Sequence, residues 1–329
     1  MKAWLFGIGA FLVLAGAVAV GLASVRHHVQ LNQQLVAAVN KRDPVQVERL
    51  LAAGADPNTR DWLTYYEGGG EPFIPPWYEK PLATVMRRPP RAGDRYVGPT
   101  VLMIATYHGD LALTRSILAH GADVALKGTS IDYDGDTESV SALYEALPLS
   151  FMEENQDGKV LARKEAIMLL LIAEGIPVND SSLGTSPLHI AADGKKPRLV
   201  TAMLDKGAKI DALDPDSRTP LLQATDYARG FGEYNYDTRA ALILIIRGAE
   251  VNHQDAEGNT ALIHAAEYGL TDVVRQLLAK RADVRVKNKD GYSALETAVE
   301  SNGTSPTSDG RHLINNRAII ALLIQAGAK

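Results

Sequence analysis

With 329 residues, 34 Lys and Arg against 39 Asp and Glu, and a formal charge of −5, the chain is mildly acidic, which argues against nucleic acid as its main partner. It contains no cysteine, so disulfides, thiol catalysis and cysteine-based metal sites are excluded. A chain of this length normally splits into several globular cores, unless it grows along one axis by repetition.

Residues 3–25 carry no charge, with Lys2 before them and Arg26-His27-His28 after. Such a run is long enough to cross a hydrocarbon core of about 30 Å as a helix, and longer than the roughly 7–15 residues of a signal-peptide core. Residues 1–29 are therefore expected to be an uncleaved single-pass anchor in the inner cell membrane. Lys2 competes with Arg26, so charge gives no clear orientation; the signal-like character favours a periplasmic body. The alternative is cleavage near Ala23, leaving a soluble periplasmic protein.

From residue 30 a pattern sets in. Leu35, Leu102, Leu143, Leu188, Leu221, Leu262 and Leu295 are each followed three residues later by an alanine: Ala38, Ala105, Ala146, Ala191, Ala224, Ala265 and Ala298. Two residues before the leucine stands Ser or Thr in all but the first copy (Thr100, Ser141, Ser186, Thr219, Thr260, Ser293), placed to accept a backbone N–H at a helix start. A second apolar stripe follows, as in Val273, Val274, Leu277 and Leu278, and ends at Gly54, Gly121, Gly175, Gly207, Gly248 and Gly327, with Arg281 the exception. Leu188 to Gly207 is 19 residues and Gly207 to Leu221 is 14, a period of 33. The spacing predicts a short helix, a turn, a second helix capped by a left-handed residue, and an extended hairpin. Helix pairs this small must stack to bury their stripes, and alanine at the shared position permits close approach.

The period, with Ser186-Pro187-Leu188-His189-Ile190-Ala191 as the nearest copy of the signature, resembles the ankyrin repeat. The resemblance implies an all-α ankyrin solenoid over residues 30–329, with units near 30–58, 98–124, 139–179, 184–211, 217–252, 258–285 and 291–329. It also implies that His189 bridges a neighbouring hairpin and helix, and that the protein recognises another protein through hairpin tips and inner short helices.

Insertions interrupt the repeat. Residues 59–97 are spliced into a hairpin tip and hold Trp62, Tyr65, Tyr66, Phe73, Trp77, Tyr78 and Tyr96, seven of twenty aromatics (3 Trp, 12 Tyr, 5 Phe). Prolines make the segment stiff but not helical, and Arg87, Arg88, Arg91 and Arg95 add basic charge. It reads as a loop packed back on the first repeats or as a binding finger, because Trp, Tyr and Arg dominate interface hot spots. The next hairpin is longer by eight residues and carries Asp132, Asp134 and Asp136. Its glycine and glutamate fall at the wrong places for a calcium loop, so a solvated acidic turn is expected. Three further insertions, Pro148–Leu161, Tyr227–Asp237 and Ser301–Arg311, fall between the two helices of a unit and are expected to share one edge.

No catalytic signature emerges. His108, His120, His189, His253, His264 and His312 are scattered over the repeats without metal-ligand spacing, and no nucleophile-elbow, zincin or P-loop motif occurs. The expectation is a non-enzymatic interaction scaffold with no cofactor and no metal, binding an unknown protein partner in its concave groove. Partner contacts are expected at Trp62, Tyr65, Tyr66, Phe73, Trp77, Tyr78, Tyr107, Tyr234, Tyr236 and Tyr268. The layout is similar to that of bacterial ankyrin proteins with an export segment, a resemblance that implies support of periplasmic stress enzymes or, alternatively, an immunity role against a secreted toxin. A lesser alternative is ligand or metal binding by the inserted loops.

Overall fold

The computed structural model describes residues 23–61, 98–131, 137–146, 158–180, 184–226, 237–302 and 316–329. These residues form seven helix pairs. They are a helix over residues 23–40 (α1) with α2 (Pro44–Ala52), then α3 (Val101–Tyr107) with α4 (Leu111–Ala119), and α5 (Ala142–Ala146) with α6 (Gly158–Ala173). There follow α7 (Pro187–Asp193) with α8 (Pro197–Asp205), α9 (Pro220–Thr225) with α10 (Arg239–Ile246), α11 (Ala261–Glu267) with α12 (Thr271–Ala279), and α13 (Ala294–Glu300) with α14 (Arg317–Gln325). The fold class is the expected mostly helical repeat solenoid.

The chain divides into two compact units, Met1–Ala146 with Ala162–Ile167, and Leu147–Leu161 with Met168–Lys329. In the first unit α2 packs on α4, and α3 packs on both α4 and α5. In the second, the first helices of each pair make an inner layer, α7 on α9 on α11 on α13. The second helices make an outer layer, α8 on α10 on α12 on α14.

The repeat positions behave as their chemistry requires. All seven signature alanines are buried, from 0% exposed at Ala105, Ala146, Ala265 and Ala298 to 5% at Ala38. Six of the seven leucines are equally buried, each worth about 2 kcal/mol of transfer free energy; Leu295 in the last unit is half-buried. Thr100, Thr219, Thr260 and Ser293 each accept a backbone N–H in the first turn of the following helix. Ser293 completes a capping box with Glu296. After the outer helices the expected left-handed residue is present throughout, with φ from +83° at Gly207 to +97° at Gly327, and Arg281 adopts it too at +65°.

The insertions at hairpins leave the hairpin arms paired. Asp61 N–H donates to Pro99 O and Val101 N–H to Thr59 O, each at 2.9 Å, on either side of residues 62–97. The eight-residue lengthening makes a real two-stranded antiparallel ladder, β1 (Lys127–Ile131) and β2 (Thr137–Ser141), registered from Lys127 opposite Ser141 to Ile131 opposite Thr137.

Among the described residues no helix is long and apolar enough to cross a membrane. Residues 3–22 of the expected anchor lie outside them.

Candidate protein-binding surface

In the second unit the hairpins between repeats are closed locally and then joined to one another. Asp214 Oδ1 accepts from the backbone N–H of Asp216 and of Arg218, at 3.0 and 2.8 Å. Asp255 Oδ1 does the same for Glu257 and Asn259, at 3.0 and 2.7 Å, and Asn288 Oδ1 accepts from Tyr292 N at 2.9 Å. An Asp or Asn at this place fastens a tight turn with its own side chain. Adjacent tips are then tied by backbone: Ala256 N donates to Asp216 O at 3.2 Å, and Lys289 N to Glu257 O at 3.0 Å. Gln254 Nε2 adds bonds to Gly258 O and to Lys287 O. The result is a hydrogen-bonded row of hairpins beside the inner helices.

Buried charge anchors this row to the helices. Arg218 sends Nε and Nη2 to Asp214 Oδ2 at 3.0 and 2.8 Å, reaches Asp216 at 3.1 Å, and lies 3.9 Å from Asp226 at the end of α9. In the following hairpin a histidine does this work. His264 on α11, 6% exposed, places Nε2 3.3 Å from Asp255 Oδ2. Burial alone would push this imidazole down; the Asp255 hydrogen bond and the charges of Glu267 and Asp226 outweigh it and hold the ring at about 9. Nδ1 lies 3.8 Å from Glu267 Oε2, beyond hydrogen-bond reach, so Glu267 acts through its charge.

His189 has the opposite character. A carbonyl can only accept, so Nε2–H donates to Arg218 O at 2.9 Å, and Nδ1 then accepts from the Ser186 hydroxyl at 2.8 Å. That is the neutral ring, and burial lowers its pKa. Its bond links α7 to the next hairpin, the bridge implied by the repeat's signature. This side chain is part of the scaffold.

Two apolar side chains stand out from the hairpins: Leu213, 54% exposed, and Tyr292, 39% exposed. Neither was expected from the sequence, where attention went to aromatics in the insertions. Aligned repeats carry the signal: Gln254 and Lys287 occupy the place of Leu213, and Arg218 and Asn259 the place of Tyr292. Carboxylates recur in the second unit, one near the end of each inner helix, at Asp193, Asp226, Glu267 and Glu300.

Of the expected contact residues, Tyr107 in the first unit is 46% exposed at the end of α3, its ring edge-on to His108 with centroids 5.5 Å apart. Tyr268 is 8% exposed at the end of α11 and offers little surface. Trp62, Tyr65, Tyr66, Phe73, Trp77, Tyr78, Tyr234 and Tyr236 lie outside the described residues, as do Asp132, Asp134 and Asp136. Among the described residues no group of three or more His, Asp or Glu side chains is arranged to hold a metal ion.

Comparison with known proteins agrees with this architecture. Residues 183–215 match the ankyrin repeat family, and residues 231–329 match a three-copy description of ankyrin repeats. This is an ankyrin-repeat protein. Over 116 residues it is 35% identical to the mouse B-cell lymphoma 3 protein homolog, covering 35% of this chain and 24% of that one. Over 126 residues it is 31% identical to an ankyrin repeat-containing protein of Schizosaccharomyces pombe, covering 38% of this chain and 55% of that one. Over 202 residues it is 25% identical to the Caenorhabditis elegans homolog of transient receptor potential cation channel subfamily A member 1, covering 61% of this chain and 14% of that one. The chain thus spans from a twentieth to about half the length of the curated relatives it matches, 5% to 55%. The crystal structure of the human ASB11 ankyrin repeat domain superposes with a TM-score of 0.52 at 18% identity, covering 90% of this chain and 98% of that one. Ankyrin repeats are protein-interaction modules, and the fold is typically non-enzymatic.

Proposed function

We propose that this ankyrin-repeat protein is a tethered, non-enzymatic scaffold that holds a protein partner against its hairpin tips and inner helices. The observation that carries the reading is the hydrogen-bonded hairpin row of the second unit. It presents Leu213 and Tyr292 from hairpins tied by hydrogen bonds within and between tips, so little ordering entropy is lost on binding. Tyr107, at the end of α3, is an exposed aromatic side chain of the first unit. His189 and His264 are each engaged in holding hairpins.

The test is affinity capture from the native cell with the full chain, followed by mass-spectrometric identification. Leu213→Asn with Tyr292→Ala should lose the identified protein, and Arg275→Ala on the outer layer should retain it. Retention by the first variant, with helical content intact, would remove the hairpin row from the reading. Removing residues 68–95 should likewise reduce capture if the aromatic insertion is a finger for the partner. Should the captured protein be a secreted toxin, the scaffold is its immunity protein.

The tether is the uncharged run at residues 3–25, and it would raise the effective concentration of partners confined to the same surface. Membrane fractionation with protease protection tests it. A mature N-terminus at Ser24 in the soluble fraction would exclude it.

A further inference from the structure

In the outer layer of the second unit α10 breaks the pattern of its two neighbours, α8 and α12. Counting back from the left-handed capping residue, α12 places Arg275, Gln276 and Ala279 outward, and α8 places Thr201, Ala202 and Asp205 outward. At the same three positions α10 carries Leu242, Ile243 and Ile246, the last 63% exposed. Its other face, Ala240, Ala241, Leu244 and Ile245, is already buried against the inner layer and its neighbours. A helix that is apolar on every side is normally covered on every side; on α10 Leu242 and Ile243 are only half-buried and Ile246 is exposed.

These outward residues border an open cleft that runs along α8 and α10 and reaches Leu169 of α6. Leu169, Ala202, Leu242, Ile243 and Ile246 make it apolar along its length, and Arg198 and Arg239 stand at its rim. The charged side chains that line it are two arginines, Arg198 and Arg239, against one carboxylate, Asp205, in a chain whose net charge is −5. The carboxylates beside these arginines are already engaged. Asp205 accepts from Arg247 at 2.7 Å, and Asp237 holds Arg239 through Nε at 2.8 Å and Nη2 at 2.5 Å.

The geometry points to a second docking surface, distinct from the hairpin row, which receives an amphipathic helix of a protein partner with acidic residues flanking its apolar stripe. A cleft between two outer helices suits a rod laid along it, with apolar residues at successive turns meeting the floor and acidic residues facing the cationic rim. A flat lipid surface would meet the crests of α8 and α10 and leave the floor of the cleft unfilled.

A fluorescein-labelled helical peptide of about 14 residues, roughly 21 Å long, provides the probe, with a leucine stripe flanked by glutamates. Its counterpart has lysines at the flanks, and vesicles of mixed phosphatidylglycerol and phosphatidylcholine serve as the lipid arm. The full chain should bind the glutamate peptide, more weakly as salt rises, and bind the lysine peptide less. Leu242→Arg with Ile243→Gln installs the residues that α12 carries at the same positions, and it should weaken binding about tenfold or more. Ile246→Asp, the residue of α8, is the second variant if the first fails to fold, and Arg198→Glu should reduce the preference for the acidic peptide. Equal binding of both peptides, binding of neither, binding untouched by the α10 variants, or selective capture of the vesicles would each overturn the proposal.

Discussion

The two units build the same hairpin by different means. In the second, three tips are short and fastened by an Asp or Asn that accepts from its own backbone, at Asp214, Asp255 and Asn288. In the first, the tip between Asp61 and Gly98 is opened by a long insertion, and the arms are held from outside. Arg60 donates Nη1 to Gly98 O at 2.8 Å and to Lys127 O at 2.9 Å, tying two successive hairpins with one guanidinium. Local closure suits a tip of a few residues; where the tip is interrupted, the backbone pairing of the arms is joined by a long side chain reaching across them. The second unit therefore presents a finished edge, and the first presents an edge with added sequence spliced into it.

Removing the guanidinium from each unit tests this contrast, and the second should suffer more. Arg218→Ala leaves Asp214, whose side chain is 2% exposed, without its cation, a loss of about 3–5 kcal/mol for a broken buried pair. Arg60→Ala leaves two carbonyls short of one donor each at a half-buried place, about 2 kcal/mol. Urea denaturation of the full chain, followed by far-UV circular dichroism, gives both values. An Arg60 loss equal to that of Arg218 would mean that the opened hairpin is as tightly built as the closed ones.

The response to pH should also separate the units. His264 in the second unit sits above its ordinary value of 6.5, at about 9. The stability it contributes is complete below 6.5 and fades as pH rises through 9, by at most about 1.4 kcal/mol per pH unit. Glu145 in the first unit is raised from 4.5 to about 7, because burial disfavours its charge more than Lys164 restores it. Its contribution is complete below 4.5 and fades as pH rises through 7. His264→Gln should therefore flatten the alkaline limb of the Tm profile and leave the acid limb alone, and Glu145→Gln should do the reverse near neutrality. Loss of both windows in one variant would show that one group governs both.

The stacking of the fold was legible because it depends on residue size at fixed spacing. Ala265 between successive inner helices, Leu262 beneath it and Thr260 at the helix start each have one physical reason to be where they are, repeated in each copy. The hairpin insertions were legible as surplus length. The proposed binding surface was less so, because exposure at a tip depends on which side chain its neighbours fail to cover. Leu213 and Tyr292 are single substitutions in a polar column, invisible to a search for aromatic clusters. The ion pairs were hidden for a related reason: His264 stands one residue beyond the place of His189, and that one step turns a neutral bridge into a charged one.

The smallest effect concerns the cap that differs. Gly248 after α10 has φ +95°, and Arg281 after α12 has φ +65°. A Cβ added at Gly248 would meet nothing within 4 Å, so Gly248→Ala isolates the conformational cost of a left-handed residue, about 1 kcal/mol. Arg281 already bears that cost, and its side chain is exposed. Arg281→Gly relieves the strain but enlarges the freedom of the unfolded chain, so the two terms largely cancel and a gain of at most about 0.5 kcal/mol should remain. Paired thermal scans of the two variants decide it. A clear loss of stability in Arg281→Gly would mean that the arginine contributes through its side chain at this turn, and that the cap after α12 is held by more than backbone conformation.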